Sequence, residues 1–504
     1  MMDLTDYRRE FAQFHSRLEL TRHEQRSEPS ATDVFERVFD RYDHLFEYSA
    51  VNDLGQMVRA ETYRTETDTA AIKSLYGAAV AGFLERESRA ITRECQAVES
   101  SERINWDRSS VALVDVRDLL ANEAELERRR ELSHRWSRAL RNCSELRSER
   151  LDQRRAASRK LEFSSYPAAW SAIKSCELDR LTPSTAGFLQ STASAYFHGL
   201  AKLRERDPEL RHLPELDMPD QLRWRRLSRF DRLFAGWRRV DTMKMALDRL
   251  GIKVGQQQNL QVQVAGSDDL SPRSTVYRVQ PPDDVRLLIG SAAGASGYWN
   301  MFEAAGQAQQ QAWISPTFFS RYPEFIYSAD NATPFAFGRL FRNLHLDQAW
   351  VAETYAAGNE SAATELVAEF TLIALHDARE NCAKLLFWND YRRSTEGVET
   401  DYADRLRDAT GFSRDGIRYL WETDDRFGFA DELRGEMFEA ALLEYLRSRY
   451  GKRWWADRKS SDELRDIWNT GARYSVEELS VQFGLGELSF DPLADRMIQL
   501  VRVK

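Results

Sequence analysis

Cysteine, histidine, glycine and proline are all scarce in this chain of 504 residues, and each shortage excludes a class of protein. Its four cysteines, Cys95, Cys143, Cys176 and Cys382, form no CxxC pair and no Cys/His zinc spacing. A disulfide scaffold is therefore excluded, and free thiols in a reducing, cytoplasmic setting are expected. With 24 Gly and 13 Pro there are too few chain breakers for an all-β sandwich or barrel of this length. No uncharged run approaches the roughly 18 residues that a membrane helix needs. The opening MMDLTDYRREF is charged and has no signal-peptide apolar core. Basic excess is also missing: 71 Lys and Arg stand against 80 Asp and Glu, a net charge of −9 that disfavours nucleic acid. What the chain does have is 42% apolar residues and 13 Trp, enough for a large core and too much for disorder.

Helical periodicity dominates up to about residue 250. Residues 34–45 set Phe35, Val38, Phe39, Tyr42 and Leu45 three and four apart, an amphipathic stripe. Residues 119–163 are dense in Arg and Glu, with Leu126, Leu132, Trp136, Leu140, Leu146 and Leu151 recurring helically, the pattern of one long helix. Breaks are expected at 181–187, which holds Pro183, and at 206–221, which holds Pro208, Pro214 and Pro219. Three β-like runs follow, at 260–264, 275–279 and 285–289, with turn chemistry at 266–274 and 280–284. They predict a small, short, antiparallel sheet. Helix resumes at Tyr298, and Ser475 with Glu478 forms a capping box near the end.

Few residues carry chemistry. Gly290, Gly294 and Gly297 follow a strand and precede a helix, but their spacing suits neither a dinucleotide fingerprint nor a Walker loop, so a plain connection is the better reading. Arg-rich stretches at 128–130 and 154–160 alternate with acids and read as solvated helix faces; a third at 223–239 interleaves aromatics. The eight His residues include no pair four apart for a metal, and none has a nucleophile beside it. What remains is the helix from Met301 to Trp313. Glu303 and Gln307 lie four apart on one face, and Ala304, Ala305, Gly306 and Ala308 would let another element approach closely.

At this helix the chain resembles the thimet oligopeptidase and oligoendopeptidase F family of zinc peptidases, especially a bacterial branch. There a helix carrying His-Glu-Ala-Gly-His-Ala-Gln-His follows a strand and a loop ending in Tyr; here the run from Glu303 to Gln310 follows Tyr298. Asp330 to Phe337 resembles the stretch that delivers the third zinc ligand, and residues 444–455 and 468–474 are similar to the same branch. The resemblance places the first ligand at Glu303, the general base at Ala304, the second ligand at Gln307 and the third at Phe335. Two carbonyl-polarising tyrosines fall on Gly428 and Glu432. Zinc chemistry needs three ligands, an open position and a carboxylate base, and this set supplies none of it intact.

The resemblance implies a mainly α, gluzincin-like clamshell: a helical lobe over 1–250, then a lobe over 251–504 with the sheet at about 259–290, a degenerate active-site helix at about 298–313 and C-terminal helices, the two permitted to form one continuous two-lobed domain. It implies a pseudopeptidase without zinc, in which Tyr298, Glu303, Gln307, Gln310 and Phe335 bind a peptide or partner protein in the old cleft. Two alternatives stay open: a hydrolase with a non-standard site in that cleft, and a structural subunit of an active paralogue. No nucleic acid, membrane or cofactor is expected, and the oligomeric state is open.

Overall fold

Helix follows helix from Leu4–Glu24 to Asp491–Arg502, and the chain is mainly α-helical, as its periodicity predicts. The structure is a computed structural model and describes residues 2–26, 32–60, 65–266, 273–356, 358–391, 397–422 and 424–502. The 34–45 stripe becomes the Thr32–Tyr42 helix and a 3₁₀ turn, Asp43–Phe46, which bury Val38, Tyr42, Leu45 and Phe46. The capping box forms: the Ser475 hydroxyl accepts the Glu478 N–H at 3.2 Å and the Glu478 carboxylate accepts the Ser475 N–H at 2.9 Å.

Three sequence expectations need correction. The single helix expected over 119–163 is three helices, Val116–Asn122, Leu126–Asn142 and Ser144–Lys160. The first break is held by Arg129, whose guanidinium takes the carbonyls of Glu123 and Ala124 at 3.1 and 2.7 Å. Nor are the Arg-rich stretches only solvated faces. Arg129 and Arg154 are buried, paired with Asp220 at 3.3 Å and with Asp425 at 2.6 Å. Pro183 stops nothing, since the Leu178–Arg206 helix runs through it. The lost N–H costs one bond near the helix start, and Phe188, Tyr196 and Leu200 are buried further along, where the helix packs on Glu360–Asp390. Pro219 likewise sits in the first turn of Met218–Arg225, where a missing N–H costs little.

Seven strands occur among the described residues. β1 (Arg103–Trp106) and β2 (Ser109–Ala112) form a hairpin turned by Asp107 and Arg108, both at positive φ. Asp-Arg is a weak turn signal beside Asn-Gly, and the hairpin has no counterpart in the sequence reading. β3 (Leu216–Asp217) pairs with β7 (Phe412–Ser413). The three strands that were expected are β4 (Leu260–Val264), β5 (Thr275–Gln280) and β6 (Asp284–Ile289). Their order is β4-β6-β5, with β4 parallel and β5 antiparallel to β6, so the sheet is mixed rather than antiparallel. Most of the turn expected at 266–274 lies outside the described residues.

The Gly294–Ala312 helix leaves the end of β6 and packs back on the sheet. One apolar core runs from Tyr7 to Val501 and includes residues on both sides of position 250. Among the described residues no helix is long and apolar enough to cross a membrane.

Candidate functional site

Three helices meet at unusually short range: Gly294–Ala312, Ala332–Arg342 and Gly428–Tyr450. Small residues make this contact. A Cβ on Gly306 would stand 2.3 Å from the Phe337 carbonyl oxygen, and one on Gly435 would stand 2.9 Å from the Ala332 carbonyl oxygen. Only glycine lets the backbones come this close. The close approach brings side chains from all three helices, and from Glu360–Asp390, to one point.

That point is Arg339. Its guanidinium donates to Glu303 at 2.6 Å, to Glu432 at 2.6 Å and to Glu436 at 2.9 Å. Glu303 also accepts from Arg342 at 3.3 Å. Arg342 lies over the Trp299 ring and bonds Asp377 at 2.9 Å, and Asp377 pairs with Arg225 at 2.7 Å. Asn381 donates to Glu432 at 3.2 Å. A continuous chain of ion pairs therefore crosses five helices. It opens to solvent on one side, since the Glu432 side chain is 30% exposed while Arg339 is 5% exposed.

The charges respond to this enclosure. Burial alone would raise the Glu303 pKa, but Arg339 and Arg342 outweigh it and hold the carboxyl below its ordinary range. At Glu436 burial wins over the same two cations, and its pKa is pushed up to about 7. One Glu436 oxygen is buried without a hydrogen-bond partner among the described residues. A proton there brings four acids and three arginines close to balance.

Glu303 and Gln307 lie side by side, half-buried, on the open face of their helix, beside Gly338. Phe335 is half-buried one turn before Arg339. Glu432 joins them through Arg339, whereas Gly428 is at the helix start, its N–H bonded to Asp424 at 3.2 Å. Ala304 is buried. Two of the residues expected to meet a ligand are instead inside the core. Tyr298 donates its hydroxyl proton to the Ala235 carbonyl at 2.6 Å, packed between Phe234 and Tyr355. Gln310 is enclosed and accepts from Gln311 at 2.5 Å. Helical spacing puts Gln310 in line with Glu303, but the open face does not extend that far along the helix.

This donor set does not fit zinc. Two guanidinium groups occupy one Glu303 oxygen, Gln307 offers a neutral amide, Phe335 offers no donor and Ala304 no base. Among the described residues no group of three or more His, Cys, Asp or Glu is arranged to hold a metal. Glu303, Glu432 and Glu436 converge on an arginine instead.

Arg339, Arg342, Asp377 and Glu436 are absent from the sequence-based list. A signal existed: Arg339 and Arg342 interrupt an apolar stretch, and Glu432 and Glu436 repeat at helical spacing. Neither pattern matches a peptidase motif, so only the fold joins them. A wider surface groove lies between the β1–β2 hairpin and the Leu126–Asn142 helix, but Arg130, Arg135 and Arg138 alternate there with Glu127 and Glu131 as on a solvated face.

Replacing Arg339→Met should take the central cation from Glu303, Glu432 and Glu436, leaving Glu303 only Arg342, and cost about 3 kcal/mol in urea unfolding. Millimolar guanidinium should restore part of the loss; a near-neutral variant would refute the arrangement. Glu436 holds its proton more tightly folded than unfolded, so its contribution to stability falls as pH rises from the ordinary carboxylate range to about 7. Glu436→Gln should flatten that part of the Tm-against-pH curve, and an unchanged slope would contradict the assignment.

No family model and no curated protein matches the chain. Solved structures do. An M32 carboxypeptidase from Deinococcus radiodurans R1 is 12% identical with a TM-score of 0.57, covering 99% of each chain. Metallocarboxypeptidase 1 of Trypanosoma cruzi is 12% identical with a TM-score of 0.64, again covering 99% of each. A presumed oligoendopeptidase F from Bacillus anthracis str. Ames is 12% identical with a TM-score of 0.56, covering 95% of this chain and 84% of its own. At such identities the likeness is one of fold: this chain has the fold of the M32 carboxypeptidases and oligoendopeptidase F.

Proposed function

We propose that this chain is a non-catalytic protein on a metallopeptidase fold, and that it holds an extended peptide or protein segment where its relatives in fold hold a substrate. The observation that carries this is Arg339. Its guanidinium sits between Glu303 and Glu432, the positions that the resemblance gives to the first ligand and to a carbonyl-polarising tyrosine. A fixed cation there neutralises the acids that a metal would need and repels the metal itself. A guanidinium has no exchangeable coordination position and cannot activate a water as zinc does.

What the open face offers instead is hydrogen bonding. The Gln307 amide has no partner among the described residues, Glu432 shows a partly exposed carboxylate, and Asn381 lies beside it. Phe335 adds an apolar contact. Amides and carboxylates spaced along a crevice can pair with the alternating N–H and C=O groups of an extended chain. Four free cysteines suit a cytoplasmic setting for this activity.

Two experiments test the reading. Labelled octapeptides titrated against the protein should bind without being cleaved, and Gln307→Ala should weaken them; chelator-sensitive cleavage would sink the proposal. The combined change Glu303→His, Ala304→Glu, Gln307→His and Phe335→Glu should fail to bind zinc while Arg339 remains, and should bind it once Arg339→Ala is added. Stoichiometric zinc in the first variant, measured by mass spectrometry, would show that Arg339 does not stand in for the metal.

A further inference from the structure

A second buried titratable group stands next to Asp377 on the Glu360–Asp390 helix. His376 is fully enclosed, with the Trp224 and Phe412 rings edge-on against its imidazole. Its Nδ1 lies 2.7 Å from the hydroxyl of Tyr196, on the Leu178–Arg206 helix, and its Nε2 lies 3.2 Å from a Glu380 oxygen. The same Tyr196 hydroxyl lies 2.7 Å from the Thr410 carbonyl oxygen, at the end of the Val398–Thr410 helix. Tyr196 and Thr410 are fully enclosed as well. The charged groups around the imidazole are Glu380, Asp377 beside it in the chain, and Arg225, which pairs with Asp377 at 2.7 Å. Lys384 and Arg414 stand behind Glu380 at 2.7 and 3.5 Å.

Three contacts here compete for too few hydrogens. A tyrosine hydroxyl brings one, a neutral imidazole brings one, and a carbonyl brings none. Glu380 brings none either, because every neighbour donates to it. One oxygen takes Lys384 and Arg414, and the other takes the Gln221 amide at 3.0 Å. The Gln221 amide is fixed in this sense, since its own oxygen accepts from Arg414 at 3.2 Å. Burial would raise the Glu380 pKa, but Lys384 and Arg414 outweigh it and keep the carboxyl ionised. Two hydrogens cannot serve the Thr410–Tyr196, Tyr196–His376 and His376–Glu380 contacts together. An imidazolium supplies the third.

We propose that His376, Tyr196 and Thr410 form a latch that a single proton closes. With the imidazole protonated, Nε2–H donates to Glu380, Nδ1–H donates to the Tyr196 oxygen, and the Tyr196 hydrogen goes to the Thr410 carbonyl. When the proton leaves, the remaining ring hydrogen stays on Nε2, because a bare nitrogen lone pair facing a carboxylate is repelled. Nδ1 then takes the Tyr196 hydrogen, and the buried Thr410 carbonyl loses its donor. That carbonyl precedes β7, which pairs with β3 at the entry to the Met218–Arg225 helix, so the latch joins three helices and one strand pair. Burial lowers the His376 pKa and Glu380 raises it, with burial the larger, so the proton binds in mildly acid solution. A histidine of lowered pKa costs overall stability as pH falls, so the latch is read from local protection rather than from the Tm.

Hydrogen–deuterium exchange of the full-length protein, followed by mass spectrometry and expressed as protection over the intrinsic rate, tests the latch. Peptides spanning residues 406–416 should be about tenfold better protected at about pH 5 than at about pH 7.5. His376→Gln and Tyr196→Phe should each remove this difference. Glu436→Gln should keep it, which separates His376 from the other group that titrates near the site. Equal protection of the unaltered protein at the two pH values would overturn the inference even if neither variant folds. A difference that persists in His376→Gln or Tyr196→Phe, or that disappears in Glu436→Gln, would overturn it too. None of these outcomes bears on whether the chain binds a peptide.

Discussion

One guanidinium held by carboxylates from two neighbouring helices is the contact on which the rest of the site depends. Arg339 reaches Glu303, Glu432 and Glu436 only because glycines let three helix backbones touch. Taking an ion out of water costs several kcal/mol, so an enclosed cluster persists only if every member has a counter-charge. The chain meets this condition by extending the pairing outward, through Arg342 and Asp377 to Arg225, and by letting Glu436 keep its proton near neutrality. The apolar core around it supplies the stability. The ion network ties five helices together through their side chains.

The same contact underlies the proposed loss of catalysis. A metal ion with an open position polarises whatever enters it, whereas a saturated guanidinium binds its acids and offers nothing further to a reacting group. Glu303 is a paired anion, Phe335 is half-buried, and Gln307 is a half-buried amide beside Glu303.

Much of the fold was legible, for reasons that lie in local patterns. Alternation marked β4, β5 and β6 to within a residue or two, and Ser475 with Glu478 marked a helix start, because both depend on neighbours a few positions away. Pro183 misled because its breaking effect is weak near a helix start and packing further along outweighed it. The strand order β4-β6-β5 was not readable, since spacing identifies strands but not which of them pair. At the site, Glu303, Gln307 and Phe335 were found through their likeness to a motif. Arg339 and Glu436 were not, because they answer to no motif and matter only through each other.

By itself the sequence determined that the chain is mainly helical with a small sheet at β4–β6, and that Glu303, Ala304, Gln307 and Phe335 stand where the resemblance places ligands and base. Those facts follow from residue type and short-range spacing, which the chain carries locally. The tertiary structure decided which acids surround Arg339 and which of the named residues reach the surface. It enclosed Tyr298 and Gln310, left Gln307 and Glu432 partly exposed, and brought Arg339 to three acids. Burial and charge pairing are properties of positions far apart in the chain, and only the packed helices fix them.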